Sequence, residues 1–175
     1  MRRFLIASFC LLLAAPLAAQ QQKREPLTEK QQDEIAEAGI FPVTRVNLYV
    51  KFLNERCDTI KGLIPRIKSG SRARRIDDEL KDFAALMDEL GDNLDVYSDR
   101  KADIRKSLKG LNDSIAHWQQ VLHDLPSEPG FDLSLKDAMA SASDLADQAK
   151  QLTSDQEAYF KAHPDEKGQD RYEPK

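Results

Sequence analysis

The feature that most constrains this chain is an apolar seam, in which hydrophobic residues recur at alternating spacings of three and four. Such a pattern has a period of about 3.5 residues, typical of helices that pack side by side with a left-handed twist. The seam positions, apolar except at Lys101, are Ile76, Leu80, Phe83, Met87, Leu90, Leu94, Tyr97, Lys101, Ile104, Leu108, Leu111, Ile115, Trp118, Leu122 and Leu125. They predict one very long helix over residues 74–125, roughly 75 Å in length. Because such a rod cannot bury its own stripe, other helices have to cover it.

Two shorter seams of the same spacing flank the long one, and each predicts a covering helix. The first is Val46, Val50, Leu53, Cys57, Ile60, Ile64 and Ile67; the second is Leu135, Ala138, Ala142, Leu145, Ala149, Leu152, Gln156 and Tyr159. The links at 69–71 and 126–130 are short, which predicts antiparallel pairs. No alternation of period two is long enough to predict a strand. The predicted fold is therefore all-α: an antiparallel, coiled-coil-like helical bundle with a shorter helix folded back on each half of the long one.

A further short helix is predicted ahead of the first covering helix. Thr28 and Gln31 have the spacing of a capping box, in which each side chain accepts a hydrogen bond from a free backbone N–H at the helix start. Gly39 is expected to end this helix near Ala38. Pro42 suits the first turn of the next helix, because its fixed backbone angle matches the helix and it has no N–H to satisfy.

The two covering helices meet near the middle of the long helix, which leaves two arrangements open. In the first, the long helix bends between Gly91 and Asp99 and its halves close into one compact bundle. A glycine within a helix lowers its stability by about 1 kcal/mol relative to alanine, which favours a bend there. In the second, two chains associate as an antiparallel homodimer with a four-helix bundle at each end.

Charge predicts how the first covering helix pairs. Residues 44–75 contain nine basic and two acidic side chains, whereas residues 76–103 contain three basic and ten acidic ones. Folding the first segment back on the second brings opposite charges together. Each exposed pair contributes only a few tenths of a kcal/mol, but the pattern disfavours the wrong pairing.

The register of the second covering helix predicts a structural polar layer. If the chain reverses midway between Leu125 and Asp132, Lys101 lies opposite Gln156. Each is the one polar member of an otherwise apolar seam. A single polar layer in an apolar seam is a known means of fixing register.

The N-terminus has the pattern of a cleavable export signal. Arg2 and Arg3 precede a short apolar stretch, and small residues lead to Ala19. The predicted organisation is a signal peptide at 1–19, a polar linker at 20–27, a helical bundle domain at 28–162 and a disordered tail at 163–175. We expect a periplasmic or secreted protein without stable membrane insertion after cleavage. After cleavage 24 basic and 30 acidic residues remain, and this negative balance argues against a nucleic-acid partner.

Residues able to carry chemistry are few and scattered. Asp113 and His117 share a helix face but supply only two ligands, so we predict no metal and no cofactor. Cys57 falls on an apolar seam, where a buried and inert thiol is expected. No phosphate-binding loop and no nucleophile motif occurs in the sequence, so we predict that the protein is not an enzyme.

The densest basic cluster is Arg72, Arg74 and Arg75, a candidate docking cluster for an anionic surface or an acidic partner. The alternative is structural, because Arg74 and Arg75 are one turn from Asp78 and Glu79 and can form ordinary helix ion pairs.

The sequence therefore predicts an exported, non-enzymatic helical-bundle protein that acts through its surfaces, as a scaffold, adaptor or chaperone-like binder of a protein partner. The alternative, from another functional class, is a bundle that holds a small molecule or a metal between its helices near Lys101.

Overall fold

The computed structural model describes residues 25–168 and contains no strand in that range. Its α-helices are α1 (Glu29–Glu37), α2 (Pro42–Leu63), α3 (Gly70–Asp99), α4 (Arg105–His123) and α5 (Asp132–Ala162), followed by a short 3-10 helix (Pro164–Glu166). The prediction of an all-α helical bundle is confirmed. The predicted signal peptide at 1–19, the linker before residue 25 and the tail after residue 168 lie outside the described residues.

Helix α1 and the start of α2 lie where local sequence signals place them, whereas α2 ends at Leu63, before Ile67, the last position of its predicted seam. Thr28 and Gln31 form the complete capping box at the start of α1. Gly39 follows the end of α1 with a φ of 55°, in the left-handed region that costs glycine little. Pro42 is the first residue of α2.

The prediction of one very long helix over residues 74–125 is wrong, because residues 100–104 form a loop between α3 and α4. The N–H of Ala102 donates to the carbonyl of Tyr97 at 3.0 Å, and the N–H of Lys101 donates to that of Ser98 at 3.1 Å. This pair of bonds is the Schellman motif that ends many helices. Gly91 lies within α3, so the helix continues through the segment where a bend was predicted and breaks just after it.

The alternating three-and-four spacing of the seam continues unchanged across this loop. The hydrophobic pattern therefore gives no sign that the helix is interrupted. Tyr97 and Ile104 are both buried on either side of it, and Ala102 within it is 1 % exposed. The residue in the left-handed conformation is Lys101, with a φ of 55°, where glycine is the usual choice. With no glycine or proline in the loop, the sequence contains no stop signal.

Helices α3 and α5 are parallel neighbours. The side chain of Ser134 donates to Asp77, and that of Gln148 donates to the backbone carbonyl of Gly91; both contacts join residues 57 positions apart. A constant sequence separation along two helices means that they run in the same direction.

Helices α2 and α4 are related in the same way. Ser107 Oγ donates to the carbonyl of Val43, and Trp118 Nε1 donates to Asn54 Oδ1 at 2.8 Å; here the separation is 64 positions. The bundle thus consists of two helical hairpins, α2–α3 and α4–α5, side by side in the same orientation. Helices α3 and α4, which the seam predicts as one helix, lie diagonally opposite each other in the bundle.

Within each hairpin the helices are antiparallel. In the first, Tyr49 donates to Glu89 at 2.7 Å, and Arg56 contacts Glu79 at 3.0 Å. The charges of α2 and α3 therefore meet, as the charge pattern predicts. In the second hairpin, Asn112 of α4 donates to Thr153 of α5.

One apolar core fills the space between the four helices. Trp118 is fully buried and meets Phe83 edge to face, with ring centroids 5.8 Å apart. The seam residues of both α3 and α4 point into this core, so the chain's own helices cover the long seam. Off-seam Leu86 is fully buried, whereas Met139 is 42 % exposed.

Residues 163–168, at the start of the segment predicted as a disordered tail, contact the bundle. The hydroxyl of Tyr159 donates to Glu166 at 2.6 Å, and the N–H of Gly168 donates to Asp103 at 2.8 Å. The folded part of the chain therefore extends beyond residue 162.

Candidate interaction surfaces

The loop between α3 and α4 is held from inside the bundle by Gln156. This side chain is 5 % exposed. Its Nε2 donates to the carbonyl of Ala102 at 2.7 Å, and its Oε1 accepts from the N–H of Ile104 at 3.1 Å. Gln156 thus satisfies two backbone groups of a buried turn, where unpaired groups are costly.

Lys101, predicted as the other half of a polar layer, lies on the outside of this loop. It is solvent-exposed, and its Nζ is 5.7 Å from the centroid of the Tyr159 ring. Lys101 and Gln156 line one small cavity of about 30 Å³, which is the volume of about one water molecule. The partner of Gln156 is therefore the loop backbone, and Lys101 itself is not part of a buried layer.

The three arginines of the candidate docking cluster occupy different environments. Arg72 is buried; it donates to the carbonyls of Leu63 and Ile64 at the end of α2 and makes two hydrogen bonds with Glu128. The Arg72 hydrogen bonds hold the pKa of Glu128 below its usual value. Arg74 and Arg75 are exposed.

An acidic groove runs between the parallel helices α3 and α5. Its carboxylates are Asp88, Asp92 and Asp95 on α3 and Asp144 on α5, and its volume is about 470 Å³. A Cβ atom on Gly91 would lie 3.0 Å from Gln148 Oε1, so the glycine lets Gln148 rest against α3 at the floor.

Charge is segregated between the two pairs of parallel helices. Together α3 and α5 carry fifteen acidic and seven basic side chains, whereas α2 and α4 carry three acidic and seven basic ones. The acidic groove lies at the centre of the negative pair. Asp88, Asp92 and Asp95 have the spacing of one helix face in the sequence, but the charge pattern alone predicts only their pairing with α2.

Exposed apolar side chains are found at both ends of the bundle. At one end, Ile40, Phe41 and Val96 are 51 %, 53 % and 43 % exposed. Ile40 and Val96 line a cleft of about 180 Å³ there, together with Arg45 and Arg100. The opposite end carries Ile67 and Leu133, which are 91 % and 73 % exposed.

Among residues 25–168, no group of three or more histidine, cysteine, aspartate or glutamate residues is placed to hold a metal ion. Burial raises the pKa of the Cys57 thiol to about 11, which makes it a poor nucleophile. Within the same residues, no helix has the length and apolar character needed to cross a membrane.

Comparison with protein-family models, with curated proteins and with solved structures finds no match for this chain.

Proposed function

We propose that this chain is a non-enzymatic binding protein that acts through its surface, and that its acidic groove receives a cationic segment of a partner protein. The observation that carries the proposal is the pairing of α3 with α5, which brings Asp88, Asp92, Asp95 and Asp144 together along one groove. A negative surface of this kind steers positively charged partners and sets their orientation.

The geometry of the groove favours a polypeptide over a small ligand. Asp88, Asp92 and Asp95 succeed one another along two turns of α3, and Asp144 faces them from α5. Carboxylates repeated along a helix match basic side chains repeated along an extended or helical segment. The groove is also an open depression in the surface, whereas sites for small molecules enclose most of the ligand.

The test is a titration with a fluorescent lysine-rich peptide, using an aspartate-rich peptide of equal length for comparison. The groove variant combines Asp88→Asn, Asp92→Asn and Asp95→Asn. The control variant removes three exposed carboxylates elsewhere, by Asp58→Asn, Asp113→Asn and Asp124→Asn. Both variants change the net charge equally, so a difference between them reports on position.

We expect salt-sensitive binding of the basic peptide that weakens by about tenfold in the groove variant and remains near wild type in the control. Equal weakening in both variants would indicate attraction to net charge alone. That result, or the absence of binding, would overturn the proposed role of the groove.

The alternative of a small-molecule or metal-binding bundle has less support from the geometry. The space next to Lys101, where this alternative places the ligand, is about 30 Å³. Native mass spectrometry and elemental analysis of the protein from its own compartment would detect a bound ligand or metal. Stoichiometric occupancy would favour the alternative over the proposal.

The export signal and the periplasmic or secreted location are part of the same proposal, and the N-terminal pattern supports both. The antiparallel homodimer is the other arrangement predicted from sequence, but the seam that it would cover is already buried within one chain. Light scattering measures whether the chain is a monomer or a dimer.

A further inference from the structure

The end of the bundle formed by the α2–α3 link carries an aliphatic side chain surrounded by positive charge. Ile67 is 91 % exposed, and its two neighbours in sequence are Arg66 and Lys68. Exposed Arg74 and Arg75 follow in the first turns of α3. We call these five residues the basic tip.

The basic tip is unusual for a chain of net negative charge. Residues 59–76 contain six basic and no acidic side chains. Of these six, Arg72 is buried and lies outside the basic tip; its guanidinium binds Glu128 and the carbonyls at the end of α2. Within residues 25–168, no salt bridge joins Arg66, Arg74 or Arg75 to a carboxylate.

The carboxylates near the tip already have partners. Glu128 pairs with Arg72 and with Lys68, at 2.9 and 3.5 Å. Asp77 pairs with Lys81, and Glu79 pairs with Arg56. The positive charge of Arg66, Arg74 and Arg75 is therefore left facing solvent.

Leu133 adds a second apolar side chain at the same end. It lies at the start of α5, close to the start of α3, where a Cβ atom on Gly130 would lie 2.8 Å from the Cβ of Ala73. Leu133 is 73 % exposed. Two exposed aliphatic side chains and a group of solvent-facing cations share one end of the molecule.

We propose that the basic tip docks on the surface of a bilayer that contains anionic phospholipids. In this mode Ile67 enters the boundary between headgroups and acyl chains, and the cations contact lipid phosphates. An acidic protein partner would satisfy the cations, but its charged surface offers nothing to Ile67, which is 91 % exposed. The combination of one protruding aliphatic residue and flanking cations therefore favours the lipid surface.

Docking in this way would orient the molecule. The acidic groove lies along α3 at residues 88–95, several turns from the tip. Like charge keeps it away from an anionic surface and open to solvent. The inference does not rest on the function proposed for the groove, since the two surfaces share no residue.

The experiment is co-sedimentation of the protein with two types of vesicle. The full chain is expressed, and the mass of the purified protein is determined before use. One vesicle type contains phosphatidylglycerol and phosphatidylcholine, and the other contains phosphatidylcholine alone. The tip variants are Ile67→Ser and the pair Arg74→Ala with Arg75→Ala. The matched controls at the opposite end are Val96→Ser and the pair Arg100→Ala with Lys106→Ala.

We expect binding to the anionic vesicles only, weakened about fivefold by Ile67→Ser and tenfold or more by the arginine pair. The controls should bind like wild type. A further variant, Ile67→Trp, should bind more tightly and show a blue shift of tryptophan emission on vesicles, because Trp118 is buried and will not respond.

Four results would overturn the proposal: no binding to anionic vesicles, equal binding to both vesicle types, no effect of Ile67→Ser, or equal losses in the controls. Circular dichroism establishes that each variant is folded. The tighter vesicle binding expected of Ile67→Trp cannot be produced by a variant that fails to fold. If soluble polyphosphate binds with the same dependence on Arg74 and Arg75 and vesicles do not bind, the tip is an anion site and the lipid proposal is wrong.

Discussion

Arg72 and Glu128 join the turns of the two hairpins across one end of the bundle, although they are 56 positions apart in sequence. The guanidinium forms two hydrogen bonds with the carboxylate, at 3.1 and 2.9 Å. It also reaches the carbonyls of Leu63 and Ile64, at 2.9 and 3.1 Å. One side chain thus satisfies the end of α2 and fixes the position of the α4–α5 turn.

Replacing Arg72 should cost much more stability than replacing Arg74 or Arg75, the other arginines of its cluster. We expect Arg72→Ala to lower the free energy of unfolding by about 2–3 kcal/mol, because it leaves two helix-end carbonyls without their donor and removes both guanidinium hydrogen bonds from Glu128. Arg74→Ala and Arg75→Ala should each change it by less than about 0.5 kcal/mol. Urea unfolding measures all three, and equal losses would contradict the structural role of Arg72.

Gln156 should be more important than its position in a nearly apolar seam suggests. The variant Gln156→Leu removes the partners of Ala102 O and Ile104 N, and we expect a loss of about 2–3 kcal/mol. Gln151→Leu is the control, since Gln151 is exposed on the same helix. Thermal unfolding compares the two; a stabilising Gln156→Leu would mean that the loop can do without these bonds.

The left-handed backbone at Lys101 should favour glycine. A residue with a Cβ atom loses about 1 kcal/mol in this conformation relative to glycine. We compare Lys101→Gly with Lys101→Ala, because both remove the contact with the Tyr159 ring and only the first removes the Cβ. The glycine variant should be more stable by about 1 kcal/mol in chemical unfolding, and equal stabilities would place residue 101 in another conformation.

Asp103 should make stability depend on pH in strong acid. Its hydrogen bonds with the Arg105 side chain, and then those from the N–H groups of Gly168 and Arg105, lower its pKa from 3.8 to about 2. Because the folded pKa is the lower one, its contribution is complete above about pH 4 and is lost as the pH falls to about 2.

The measurement is the free energy of unfolding in urea over that pH range, for wild type and for Asp103→Asn. The variant should be less stable above about pH 4 and should show a weaker dependence on pH below it. Asp99→Asn, at an exposed position close by, should follow wild type. Parallel curves for wild type and Asp103→Asn would refute the assignment.

Cys57 should be unreactive until the bundle opens. It is 2 % exposed, and burial raises its pKa to about 11. We expect a thiol reagent such as dithionitrobenzoate to label it slowly at pH 8 and rapidly in denaturant. The variant Cys57→Ala gives the background from Cys10 where the N-terminal segment is retained. Rapid labelling of the native protein would place Cys57 at the surface.

Most helix boundaries follow from capping, glycine and proline signals in the sequence. The capping box at Thr28, Gly39 after α1, Pro42 at the start of α2 and the proline-rich link before α5 all mark boundaries that the structure contains. The end of α3 carries no such signal. Its left-handed residue is a lysine, and Ala102 and Ile104 continue the apolar period through the loop.

The candidate surfaces were predictable only in part, because they depend on which helices are parallel neighbours. The sequence pairs the acidic stretch of α3 with α2, and Arg56 with Glu79 bears this out. It contains nothing that places α5 against the other side of α3, so the acidic groove could not be foreseen. Likewise, Arg72 differs from Arg74 only through its position on the helix face that meets Glu128.

The 100–104 loop crosses the end of the bundle between the diagonally opposed helices α3 and α4, which makes it a site where the chain can be divided. This loop is the covalent connection between the two hairpins, and each hairpin keeps both of its helices and its own turn if the chain is cut at Lys101. The halves would retain complementary surfaces, including the arginine on one and the glutamate on the other that join their turns. Two separately produced fragments should therefore find each other and rebuild the bundle, which makes this protein a natural candidate for a split reporter.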